Sequence, residues 1–322
     1  MTAQDYIQSK LSELSRHPSS STVDINNIEA EIVRLILSKK FRKYAISPEQ
    51  IEHIKSVVHT CVSEGKPIQA TLVFGGYKLW RLEESPETDW AELFSLMYYT
   101  KWMRPICDIY KPGVWFDYYS DDVIVPTMNN VPTDSVDQYQ KSFRGLLGFI
   151  KNFQPSNLNM TLNRVGDQYD SYGDFLAELE NNKKSLQNNL GGGLPVLDNA
   201  MRATLELNVN TTPDQLTDPK WMEKVQLTHD AYAQVSKRRP YYRTPDKFNI
   251  FTTHYPGSLS VGTTKDSVMK WWIGAGALKK DENNYRQVIY SPNQLSNKHF
   301  ITESVCIPDL EGKNFRKIRV EQ

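Results

Sequence analysis

Apolar positions along this chain recur first at helical and then at strand spacing, and the change of period marks out its elements. Ile25, Ile28, Ile32, Leu35 and Ile36 share a helical face within Asp24 to Lys43, and Ile51, Ile54, Val57 and Val58 do so within Pro48 to Ser63. The run IQATLVF, Ile68 to Phe74, is dense in branched and aromatic residues and stops at Gly75-Gly76, which predicts a buried strand leaving into a loop. Helical period returns over Asp89 to Asp108 through Trp90, Leu93, Phe94, Met97, Tyr98 and Trp102, with Thr88 or Asp89 as the cap. The turn Tyr110-Lys111-Pro112-Gly113 then leads into a second strand, VWFDYYSDDVIV. Strand, loop, helix, turn and strand predict a parallel βαβ unit.

Ser135 to Asn152 predicts a further amphipathic helix, and NLNMTLNRVGD a third strand ending at Arg164. A charged helix over Asp170 to Leu190 stops at Gly191-Gly192-Gly193-Leu194-Pro195, the strongest punctuation in the chain. Beyond it, Ala200 to Leu207 and Pro219 to Arg239 read as helices, and Lys247 to Thr253, Ser258 to Thr263 and Gln287 to Tyr290 as strands. The expected fold is α/β, with a Rossmann-like, mostly parallel central sheet flanked by helices behind an N-terminal helical segment. Residues 1–64 form that segment, 65–190 the α/β core, and 191–322 a C-terminal part that completes the sheet and its cleft within one compact unit.

Composition narrows the function. The 322 residues carry 38 basic and 38 acidic side chains, so no global field favours nucleic acid or an anionic membrane, and an anionic ligand must be caught locally. Cys61, Cys107 and Cys306 are far apart and show no CxxC spacing, which argues against a disulfide framework or a zinc site. No window has the apolar character of a signal peptide or a membrane span, so a cytoplasmic protein is expected.

In an open α/β sheet, ligands bind beyond the carboxyl ends of the strands. Three such ends carry unusual polar groups: Lys78 after the first strand, Ser120-Asp121-Asp122 after the second, and Arg164 with Asp167 after the third. The turn Gly75-Gly76-Tyr77-Lys78 fits neither GxGxxG nor GxxxxGK[ST], and taken alone it is equally a strand exit with a solvated lysine beyond it. Asp121 and Asp122 are adjacent, so on an extended segment they point apart, unlike carboxylates spaced to share a metal. His254 closes a predicted strand, where an imidazole can move protons near neutral pH, although an ordinary structural histidine fits there too. Lys237-Arg238-Arg239 ends a helix with cations and is most simply a solvated terminus, although one of its arginines is also placed to reach an anionic ligand. Trp271 and Trp272 suit either core packing or the wall of a ring-binding pocket, and Asn129-Asn130 either a turn or hydrogen bonds to a substrate.

The ordered set Lys78, Ala91-Glu92, Ser95-Leu96, Tyr110, Pro112-Gly113, Ser120-Asp121 and Tyr139-Gln140 resembles the isonitrile synthase family of pyoverdine and dityrosine biosynthesis, without a gap from Trp90 to about Gln140. Thr253-His254-Tyr255-Pro256 and Trp272-Ile273-Gly274 resemble that family's carboxyl-terminal block. The chain departs from the pattern at Val123, where the family has an arginine, and at Ile273, where it has a histidine.

The resemblance implies a metal-independent reaction without cofactors, joining the amino group of an amino acid or related amine to a phosphosugar-like partner. It makes Lys78 a phosphate or carbonyl contact, Glu92 and Asp121 orienting or acid/base carboxylates, and His254 a proton shuttle. Arg164 is then the replacement for the cation absent at Val123, while Ser120, Asp122, Asn129, Asn130, Trp271 and Trp272 bind substrate. Small molecules are the expected partners, with no nucleic acid or membrane and with room for a homodimer. Two rivals are a nucleotide-sugar transferase holding a divalent metal on Asp121 and Asp122, and a non-catalytic interaction protein on an enzyme-like sheet.

Overall fold

The computed structural model describes residues 1–16, 27–42, 45–75, 78, 86–129, 131–189, 211–238, 245–251, 259–260 and 271–322. Three helices lead the chain, α1 (Ala3–Ser15), α2 (Ile28–Ile36) and α3 (Pro48–Ser63), followed by β1 (Ile68–Phe74), α4 (Trp90–Ile109) and β2 (Val114–Ser120). Next come α5 (Val125–Asn129), α6 (Thr133–Lys151), β3 (Leu158–Arg164), α7 (Tyr172–Asn189), α8 (Pro213–Thr217), α9 (Pro219–Ala233), β4 (Phe248–Phe251) and β5 (Leu259–Ser260). The chain continues through β6 (Ala275–Asp281), β7 (Asn284–Tyr290), α10 (Pro292–Ser296), β8 (Phe300–Ser304) and β9 (Lys317–Glu321).

The first five strands make an all-parallel sheet in the order β3-β2-β1-β4-β5, so the expected α/β fold with a parallel central sheet is present. The register sets Ile68 opposite Val114 and Phe74 opposite Ser120, and Ser120 opposite Arg164, so the three strand exits lie side by side. Helices α4 and α6 cover one face. Phe143 of α6 lies 5.5 Å from Phe74 and 5.3 Å from Tyr118, and Tyr99 of α4 lies 5.0 Å from Phe116, each measured between ring centroids. Because α1 and α2 pack on the outer side of α4, that helix is buried nearly all round, with polar residues such as Glu92, Ser95 and Thr100 inside.

A second sheet, β7-β6-β9-β8, was not foreseen; of its strands only β7 was expected, as Gln287 to Tyr290. Helix α1 was also missed, although Thr2 and Asp5 form a capping box at its start. The expected helix over Pro219 to Arg239 ends at Ala233 in α9, and the expected helix over Ala200 to Leu207 lies outside the described residues. Strand β6 approaches α4 closely at Gly276, where a Cβ would sit 2.4 Å from the Ala91 nitrogen. No other residue leaves room for this approach, which brings the second sheet against the start of α4. The main apolar core runs continuously from Ala3 and Ile7 through α4 and β1 to Ile318 and Val320. Among the described residues no helix is long and apolar enough to cross a membrane.

Candidate functional site

Asp89 caps α4 in a capping box with Glu92, accepting from the Ala91 nitrogen while Glu92 accepts from the Asp89 nitrogen. Hydrogen-bonding needs at the helix start therefore hold both carboxylates at the carboxyl edge of β1. Lys78 enters between them. Its Nζ lies 2.8 Å from Glu92 Oε1 and 3.6 Å from Asp89 Oδ1, and it donates to the carbonyls of Trp271 (2.7 Å) and Gly274. Neither Lys78 nor Glu92 is exposed to solvent. Tyr139 of α6 donates its hydroxyl to Glu92 Oε1 at 3.0 Å. Burial pushes the Glu92 carboxyl up to about 7 against the pull of Lys78, which places a proton-exchanging group at neutrality.

One stretch of α6 reaches all along the edge. Tyr139 touches Glu92, Gln140 donates to Ser120 Oγ at 2.7 Å, and Asp137 accepts from Arg164 at 2.6 Å. Arg164 also holds Asp122 at 2.5 Å and lies 3.8 Å from Asp167, which is itself paired with Arg144 at 2.8 Å. Three carboxylates thus surround Arg164, the residue expected to replace a cation at Val123, and they meet its charge. Asp122 is fully buried, and burial raises its carboxyl to about 6 despite Arg164. Its Oδ1, and Oε1 of the equally buried Gln140, are acceptors with no hydrogen-bond donor.

Asp121 turns the other way. It accepts from Tyr232 at 2.8 Å and pairs with Arg238 at 3.2 Å, and the guanidinium lies 4.8 Å over the Tyr232 ring. Arg238, expected at a solvated helix terminus, therefore closes the edge instead. Adjacent Asp121 and Asp122 engage different arginines, as their alternation predicts. Trp271 is fully buried, 4.7 Å from Phe74 and 5.4 Å from Phe143 between ring centroids, so it packs the core beneath the edge rather than facing a ligand. Trp272 is nearly buried and stands at right angles to it. His254 and Asn130 lie outside the described residues, as does the side chain of Asn129.

The structure thus brings Lys78, Glu92, Ser120, Asp121, Asp122 and Arg164 to one edge. Sequence reasoning missed Asp89, Asp137, Tyr232 and Arg238 as members, and gave Tyr139 and Gln140 no role. Asp137 and Gln140, three apart on α6, share a helical face, but their targets come from other strands and helices. Against the outer side of α6 lies a cavity of about 760 Å³ whose wall includes Asp134, Asp137, Asp309 and Glu311 above Leu146 and Phe149.

No protein-family model matches the chain, and no curated protein matches it. The fold is similar to the crystal structure of the PvcA protein from Pseudomonas aeruginosa, with a TM-score of 0.63 over 91% of this chain and 99% of that one, at 16% sequence identity. At that identity the likeness is one of fold.

Proposed function

We propose that the chain is a biosynthetic enzyme of the isonitrile synthase kind, which modifies the amino group of an amino acid or related amine with a phosphosugar-like co-substrate and needs no metal. The sequence resemblance and the near full-length likeness to PvcA support the distant relationship. The observation that carries the amine is the pair of buried acceptors without donors, Asp122 Oδ1 and Gln140 Oε1, at the exit of β2. Buried acceptors without a donor cost free energy, and an amine donates where a carbonyl or phosphate cannot. The acidic cavity beside Asp137 suits the approach of a cation.

In this reading Glu92 is the base that takes the ammonium proton, Tyr139 orients its carboxylate, and Lys78 stabilises the ionised form. Asp121 and Ser120 shape the amine side, and Arg164 holds Asp122 in place. His254, Asn129, Asn130 and Trp272 complete the proposed site, His254 as a proton shuttle. The glycosyltransferase alternative is disfavoured because each of Asp121 and Asp122 is bound to its own arginine, which leaves no shared carboxylate pair for a divalent ion.

The test is expression of the chain followed by mass spectrometry of metabolites, beside Glu92→Gln and an EDTA-treated extract. A new nitrogen-modified amino-acid product that survives EDTA and falls at least about 100-fold in Glu92→Gln is expected. A product that depends on added divalent metal would overturn the reading.

A further inference from the structure

A second cavity, of about 300 Å³, is lined in part by Asp89 and lies between the start of α4 and the second sheet. Its walls carry Lys313, Lys317 and Arg319, with Thr302 and Asn314. Lys317 and Arg319 are two apart on β9 and so share a face, and Thr302 of β8 stands in register with Arg319. Asn314 pins the preceding turn by donating to the carbonyls of Glu87 and Thr88 at 3.4 and 3.1 Å. We propose that this cavity is an oxyanion site for the phosphate group of a small molecule.

The charge count carries the proposal. The chain as a whole has formal charge zero, and many of its surface cations sit against acids, as Arg34 does on Glu31 and Lys55 on Glu52. Lys317 and Arg319 pair with no acid among the described residues, yet stand side by side at one cavity. Like charges held together without a counterion repel, and a bound anion relieves that repulsion. Among the described residues Asp89 is the one acid of the lining. It is nearly buried, and its carboxylate is spent on the Ala91 and Gly276 nitrogens, at 2.7 and 3.3 Å, and on Lys78. The positive end of the α4 dipole also faces this side and adds to the field. An arginine fork beside lysine point charges suits a phosphate, which carries more charge and more acceptor oxygens than a carboxylate.

The site is argued from these residues alone. Only its assignment to the co-substrate of the proposed reaction rests on the reading above, in which case the phosphate would be anchored by the second sheet and not by Lys78 or Arg164.

The full chain would be titrated calorimetrically with inorganic phosphate and with ribose 5-phosphate, against sodium chloride at equal ionic strength. Binding of both phosphates is expected, weakened at least about tenfold in Lys317→Gln/Arg319→Gln, with the melting temperature unchanged because both side chains are exposed. A Lys55→Gln control, remote on α3, should bind like the parent. Phosphate binding that the double variant retains, or no binding beyond the chloride control, would overturn the site. Phosphate binding lost in the double variant from a chain that forms no product would leave the site standing and remove the enzymatic reading. Product formed with unchanged KM by a double variant that has lost phosphate binding would leave the enzymatic reading standing and remove the assignment of this site to the co-substrate.

Discussion

Lys78 shows how far a side chain's role depends on what the fold puts around it. The sequence suggests a lysine beyond a glycine turn, ready to meet an anion; the structure surrounds it with Glu92, Asp89 and two backbone carbonyls, away from solvent. Removing one partner of a buried ion pair leaves the other charge uncompensated, at a cost of about 3–5 kcal/mol. Lys78→Ala should therefore lower the unfolding free energy by about that amount in urea titrations, and by more at about pH 8 than at pH 6. The pH dependence follows from Glu92, which without its cation can become neutral by taking a proton, at lower cost when protons are abundant. A variant as stable as the parent at both pH values would show that the pair contributes nothing. The burial that makes Glu92 titrate near neutrality was not legible, because it comes from α6 and from the backbone at Trp271 and Gly274, far away in sequence. The carboxylate itself was legible, as the third residue of a helix capped by Asp89.

At the scale of elements, glycine separates positions that serve packing from those that do not. Gly276 lets β6 meet α4, and a methyl group there would collide with the backbone of Trp90 and Ala91. Gly276→Ala should cost about 1–3 kcal/mol by overpacking. Gly148 lies on the exposed side of α6 with nothing near its hypothetical Cβ, so Gly148→Ala should raise stability by about 0.5–1 kcal/mol through helix propensity alone. Thermal melts of the two variants check both signs, and equal shifts would refute the contrast. The same contrast explains what was legible. Strands β1 and β2 are buried runs flanked by turn residues and are visible in any window, while β3 is buried at Leu158 alone and mostly half-buried beyond it. Strand β9 has five residues that alternate exposed with buried only as far as Val320, and β6 opens on small residues and ends in charges; neither departs far from a loop until paired. The second sheet is a product of pairing across the chain, of the kind local periodicity does not record.

For the whole molecule, the buried carboxylates set the response to pH. Folding raises Glu92 from 4.5 to about 7 and Asp122 from 3.8 to about 6, so the folded chain binds protons that the unfolded chain has released. The stability they contribute is complete below the unfolded values and is lost as pH rises through the folded ones. Glu321 and Glu178 shift downward and act oppositely, losing their contribution only as pH falls below the ordinary carboxylate range. The urea midpoint should therefore fall from about pH 5 to pH 8, and Glu92→Gln should flatten that decline. A midpoint that rises over the interval, or a slope unchanged in the variant, would contradict the assignment.

The contacts of α1 act at the same scale. The Ala3 nitrogen donates to Glu303 at 3.0 Å, Gln4 accepts from the Cys306 nitrogen at 3.0 Å, and the rings of Tyr6 and Tyr285 lie 5.7 Å apart. This clasp joins residues some 300 positions apart, and closing so long a loop must be compensated by contacts that form only when both ends arrive. In kinetic terms the clasp belongs late on the folding path, after the parallel sheet has shortened the loop that remains to be closed. Its release should be an early step of unfolding, freeing α1 and the edge of the second sheet while the strand edge around Lys78 and Glu92 is still assembled.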